Sequence, residues 1–165
     1  MAIEMQVTGL TIDPVNNAPI VILREKDGGR ILPIWIGVIE ASAIAFELEQ
    51  VKLTRPMTHD LLRSCIESLG GRVERIQIVD LRDNTYFAML LISRDGHTIE
   101  IDARPSDAIA LALRFEAPIY VEEKVIEKSL QVDDQVEIAD DSEEGKKWAD
   151  YLENLSPEDF GKYKV

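Results

Sequence analysis

The feature that most constrains this chain is an internal repeat. An offset of 67 residues lays Asp13 on Asp80, Asn17 on Asn84, Leu23 on Leu90, Gly29 on Gly96 and Ile34 on Ile101. It also lays Ala41, Ala43 and Ala45 on Ala108, Ala110 and Ala112, and Glu49 on Glu116, with no gap. Turn residues, apolar runs and Ala-rich segments recur in one order, which marks a duplicated supersecondary unit. In the first copy residues 5–12, 19–23 and 30–36 read as strands, separated by turns at 13–17 and 26–29. Residues 40–51 read as a buried helix. In the second copy residues 73–81, 85–92 and 98–103 are strands, with turns at Asp83-Asn84 and Asp95-Gly96, and a helix opens at Arg104-Pro105 and runs to 115. A further helix over 58–69, ended by Gly70-Gly71, lies between the copies. Its Leu61, Leu62, Cys65, Ile66 and Leu69 share one face at helical spacing. Residues 118–121 form a short strand. The expected class is α+β: a duplicated strand-strand-strand-helix unit, with helices packed on a mixed β-sheet, an inserted helix and a C-terminal helical tail.

Charge divides the chain. The whole carries -13. Residues 129–165 hold four Lys and eleven Asp or Glu, and the first 128 hold fourteen basic and twenty acidic residues. We therefore expect a domain over 1–128 and an acidic tail over 129–165. In the tail Val132, Val136 and Ile138 suit one more strand, and Trp148, Tyr151, Leu152 and Leu155 share a face of a short amphipathic helix. No basic run suits tight non-specific duplex binding, which draws on Lys and Arg displacing phosphate counterions. Nucleic acid would need a local arginine cluster or a metal ion to offset the field. The longest apolar stretch, residues 86–92, is far short of the roughly 20 residues of a membrane span. The first four residues lack the basic and apolar regions of a secretion signal, and one Cys makes no internal disulfide. The expected location is cytoplasmic, without membrane contact.

Three places can carry chemistry. On the strand 98–103, Thr98, Glu100 and Asp102 alternate with Ile99, Ile101 and Ala103. Asp102 stands five residues before Asp107, which gathers Asp102, Arg104, Ser106 and Asp107 at one strand-to-helix corner. Free helix N–H groups and a guanidinium there suit a phosphate, and the acids suit a hydrated divalent metal. The same residues also suit plain helix capping and solvation. The matching corner of the first copy bears Ile31, Pro33 and Trp35, an apolar face that should be core or an oligomer contact. Glu40 there takes the place of Asp107. The third place is Arg55-Pro56-Met57-Thr58-His59-Asp60, where Thr58 can cap a helix and His59, beside an acid, can be a general base, a metal ligand or a surface His. Cys65 reads as packing and His97 as surface. Phosphate-loop, dinucleotide, zinc-helix and paired-Cys signatures are absent.

The blocks Gly37-x-x-Glu40-Ala41-x-x-Ile44-Ala45, Arg55-Pro56-x-Thr58-His59-Asp60-Leu61, Asp102-Ala103-Arg104-Pro105-Ser106-Asp107-Ala108 and Pro118-Ile119-Tyr120-Val121 resemble the bifunctional nuclease family. The end of the chain, Ser156-Pro157-Glu158-Asp159-Phe160-Gly161, is similar to bacterial members. The resemblance implies an α+β fold, frequent dimerisation and hydrolysis of both DNA and RNA. It leads us to expect metal-assisted phosphodiester hydrolysis with low sequence preference. His59, Asp60, Arg104 and Asp107 would be catalytic, with Asp60 positioning His59. Arg55, Thr58 and Ser106 would bind substrate, and Asp102, Asp107 and Glu40 would hold Mg²⁺ or Mn²⁺. The alternative is a non-catalytic regulatory or scaffold dimer that binds a small anion or a protein partner.

Overall fold

The computed structural model describes residues 1–137, with side chains through residue 131. The first copy gives β1 (Ala2–Ile12), β2 (Pro19–Glu25), β3 (Ile31–Trp35) and α1 (Val38–Leu48). After α2 (Thr58–Ser68), the second gives β4 (Arg72–Arg82), β5 (Thr85–Arg94), β6 (His97–Ala103) and α3 (Pro105–Phe115). Then come β7 (Ile119–Glu122) and α4 (Glu123–Glu137). The sheet order is β3-β2-β1-β7-β4-β5-β6. Each copy is an antiparallel meander. β7 lies between them, antiparallel to β1 and parallel to β4. The fold is α+β, with helices on a mixed seven-stranded sheet.

The repeat holds at the level of single residues. α1 and α3 begin and end at the same 67-residue offset. Asn17 and Asn84 both take left-handed φ, 56° and 58°, in the first hairpin of each copy. Asn tolerates that region because its short amide bonds locally. The repeated aspartates have diverged in partner. Asp13 accepts a hydrogen bond from the Trp35 indole at 3.0 Å, whereas Asp80 takes Lys128 Nζ of α4 at 2.8 Å.

The Ala-rich helices do the central packing. Ala41, Ile44 and Ala45 of α1 and Ala108, Ile109, Ala110, Leu111 and Ala112 of α3 are buried in one core with Leu23, Leu32, Ile76 and Ile78 of the strands. Small side chains let α1 and α3 approach each other closely over that core. Ile20–Leu23 of β2 are buried without alternation, so both faces of that strand are covered.

Two expectations change. Residues 132 and 136 fall inside α4 rather than on a strand. A separation of four fits a helical face as well as strand alternation, and Val125 and Ser129, also four apart, are both buried. The expected tail helix, with its Trp148 face, lies outside the described residues. Finally, α2 buries none of its residues: Leu61 and Leu62 are exposed, as is Leu69 just past its end, and so is Cys65, which therefore is not core packing. No helix among the described residues is long and apolar enough to cross a membrane.

Candidate active site

The sequence places a short loop between β6 and α3, with Pro105 in the first turn, where its missing N–H costs nothing. Arg104 is the N-cap residue and Asp107 sits in that first turn. Across from it, Gly37 precedes α1 and Glu40 occupies the corresponding turn. Arg104 joins the two: its Nε donates to Asp107 Oδ2 at 2.7 Å and its second nitrogen, Nη1, lies 2.8 Å from Glu40 Oε1. Two carboxylates from the two copies thus share one guanidinium. Glu40 folds back over Gly37 so closely that a Cβ there would collide with its carboxylate.

α2 brings the imidazole. His59 Nε2 lies 2.9 Å from Asp107 Oδ1, linking residues 48 apart in the chain. An ionised carboxylate only accepts, so Nε2 carries the proton and donates it to Asp107. The His59 side chain is 13% exposed. Among the described residues its Nδ1 has no hydrogen-bond partner and no buried side-chain N or O atom lacks one, so Nδ1 is not buried. The line Glu40–Arg104–Asp107–His59 is the candidate site.

Asp60 does not position His59. Its Oδ1 accepts from Arg114 Nε at 2.7 Å and its Oδ2 from the Met57 backbone N–H at 2.9 Å. Successive helix residues point about 100° apart, so neighbours in sequence reach different partners. Arg114, with its side chain only 3% exposed, also donates to Ala110 O. Sequence reasoning missed Arg114, although a cation inside the apolar run Leu111-Ala112-Leu113-Arg114-Phe115 signals a buried charge in need of a partner. Thr58 is the first helical residue rather than the cap; Met57 is the N-cap, and the Asp60 carboxylate reaches back to accept from its backbone N–H.

Asp102 stands apart. Its strand neighbour Ala103 packs against the core, so alternation turns Asp102 to the opposite face, away from the helix that carries Asp107. It is exposed on the edge strand. The grouping of Asp102 with Asp107 and Glu40 is not formed. No three His, Cys, Asp or Glu side chains gather to hold a metal ion among the described residues. Ser106 is buried at the start of α3 and lines a cavity of about 260 Å³ with Trp35, Tyr86 and Arg104. Arg55 is exposed and makes no ion pair among the described residues. Ile99 and Ile101 are exposed too, which leaves β6 wet on both faces.

Burial works against the charge of Asp60 and Asp107, yet both pKa values fall below the ordinary carboxylate range. Arg114 and the Met57 N–H outweigh burial at Asp60; Arg104 and His59 do so at Asp107. A depressed folded-state pKa adds stability that is fully present above the unfolded value of about 3.9 and is lost as pH falls through the folded value. A urea midpoint followed from pH 7 to pH 2 should hold until about pH 4 and then fall. The fall should be shallower in Asp107→Asn, which has no carboxylate to protonate there.

A family model described as the bifunctional nuclease domain matches residues 21–134. An uncharacterized protein of Mycobacterium tuberculosis is 41% identical over 162 residues, covering 95% of this chain and 97% of that protein. Bifunctional nuclease 1 of Arabidopsis thaliana is 30% identical over 107 residues, and Bifunctional nuclease 2 of Oryza sativa subsp. japonica is 32% identical over 107 residues. Each of those two matches covers 62% of this chain but only 33% of the plant protein, so the similarity spans about a third of the plant relatives' length.

Proposed function

Since the chain belongs to the bifunctional nuclease domain family, we propose that it hydrolyses phosphodiester bonds of DNA and RNA at the Glu40–Arg104–Asp107–His59 line. The observation that carries this reading is the 2.9 Å bond from His59 Nε2 to Asp107 Oδ1, with Arg104 on the other carboxylate oxygen. Asp107 holds the imidazole in the tautomer whose open Nδ1 accepts a proton. Water then attacks phosphorus as its proton passes to His59 Nδ1. The new O–P bond forms, the ester P–O bond breaks, and the leaving oxygen takes a proton from solvent. Arg104 offsets charge on the phosphate oxygens. Arg55, exposed on the loop before α2, guides the incoming strand, and Thr58 and Ser106 supply hydroxyls for it.

With His59 neutral, Glu40, Arg104 and Asp107 together carry one net negative charge. A phosphodiester beside them calls for a further cation, and Mg²⁺ or Mn²⁺ enters the proposal on that ground. The residues that would hold it are Glu40 and Asp107, the two carboxylates that converge. Such ions take one or two protein carboxylates and fill the rest of their shell with water and phosphate oxygens. When bound, the ion supplies charge neutralisation at the phosphate and a more acidic water. Asp102 is not in this set.

The test is cleavage of single- and double-stranded DNA and RNA by highly purified protein, in Mg²⁺, Mn²⁺ or EDTA. The wild type should cleave, and Asp107→Ala should be slower by on the order of 100-fold. An alanine variant with the wild-type rate removes this site from the chemistry. A second reading, the non-catalytic dimer, is favoured by the exposed Leu61 and Leu62 of α2 and Leu69 just after it. A stable dimer by light scattering, with no cleavage in any arm, would support it.

A further inference from the structure

The cavity beside Arg104 is lined by Glu40, Arg104 and Ser106, which the cleavage proposal uses, and by residues that it does not use. It is walled by Trp35 at the end of β3, by Asn84 of the β4–β5 turn, by Thr85 and Tyr86 at the start of β5, and by Arg104 and Ser106 at the start of α3. Resting on the nuclease reading above, we infer that this cavity is a base subsite that takes one unpaired nucleotide of a single strand. The base lies against Trp35, and its phosphate points toward Arg104.

Four observations carry this. First, Trp35 is 47% exposed, yet it is not loose: its indole N–H donates to Asp13 Oδ2 at 3.0 Å. A large aromatic face that is held in place and left open to solvent is the platform on which bases stack. Second, the Trp35–Asp13 pair has no counterpart in the other copy. There the matching residues are Asp102, exposed, and Asp80, bound to Lys128. The first copy's corner has departed from the repeat at the place that faces the cavity. Third, the cavity, about 260 Å³, is just under the range of about 300–1,000 Å³ that drug-sized ligands fill. It has room for one planar base. Asn84 and Thr85 supply an amide and a hydroxyl for a base edge. Fourth, Arg104 belongs both to this wall and to the catalytic line, so a base in the cavity sets its own phosphate beside Asp107 and His59.

Charge selects the same substrate. A duplex carries one negative charge per about 1.7 Å of axis, twice the density of one strand. The chain, at -13, repels it more strongly than a single strand. A base still paired in a duplex would also have to leave its stack to enter the cavity.

The experiment is fluorescence anisotropy of a labelled DNA 12-mer, single-stranded or as a duplex, in EDTA so that binding is read without metal. The single strand should bind more tightly than the duplex. Trp35→Leu should weaken single-strand binding by about 5- to 150-fold, the range of one base–aromatic stack, and Trp35→Phe should restore most of it. Unchanged single-strand affinity in Trp35→Leu, or a duplex bound as tightly as the single strand, overturns the inference. The two readings fail separately. Trp35-dependent binding without cleavage under any metal leaves the subsite standing and removes the nuclease. Cleavage that depends on His59 but binding indifferent to Trp35 does the reverse.

Discussion

His59→Gln should lower kcat for phosphodiester cleavage by roughly 10²- to 10⁴-fold, the range a positioned general base contributes. Glutamine can still donate an amide N–H to Asp107 Oδ1, so the hydrogen bond that ties α2 to α3 has a substitute. What it lacks is the lone pair that takes the proton from water. KM should therefore stay within a few-fold of the wild type while kcat falls, because an interaction made only in the transition state has been removed. Asp107→Asn should also lose activity, for another reason. An amide there can turn its N–H toward Nε2 and favour the tautomer whose Nδ1 carries hydrogen. Steady-state kinetics on a single-stranded substrate separates the two variants from a general folding defect once thermal midpoints are matched. Full activity in His59→Gln would take the imidazole out of the mechanism.

Asp60→Ala should destabilise the protein by about 3 kcal/mol. That is the low end of the range for breaking a buried ion pair, because the Asp60 side chain is itself 36% exposed. The cost lies in Arg114, whose side chain is almost wholly buried and would keep only its bond to Ala110 O. Charged hydrogen-bonding groups left unpaired in an interior carry their full desolvation penalty. For a chain of this size the change corresponds to a fall of roughly 10 °C in Tm. A double variant, Asp60→Ala with Arg114→Met, should recover most of that loss, since replacing both partners removes the stranded charge. The single variant should also lose cleavage beyond its loss of stability. α2 buries no residue fully; besides the packing of Ile66 on the core and of Arg63 over the Phe115 ring, this pair and His59–Asp107 tie it to α3. Urea denaturation and activity measured on the same samples check both parts.

The sequence disclosed the fold to the extent that the fold is periodic. The 67-residue offset anticipates both Ala-rich helices and both hairpins, because each rests on local chemistry: Asn in a left-handed turn, Pro at a helix start, alternation along a strand. The place of β7 was not legible. Residues 118–121 read as a strand, but nothing in four residues says that they lie at the centre of the sheet. At the site, Glu40, His59, Arg104 and Asp107 were all visible as chemically able residues. Their connection was not, since His59 and Asp107 meet across 48 residues through helix packing. Reading by sequence proximity assigned Asp60 to His59 and Asp102 to Asp107. Helical rotation undoes the first pairing and strand parity the second.

The position of β7 also bears on how the molecule comes into being. Neither copy pairs directly with the other; a strand made after both of them bridges the gap. Until residue 122 has left the ribosome, β1 and β4 each present an unpaired row of backbone groups, the kind of surface that recruits foreign strands. The domain therefore matures late in translation. The nascent chain passes through a stage in which two halves wait for a keystone, and any stop codon before residue 119 would release a product with sticky seams rather than a smaller version of the same protein.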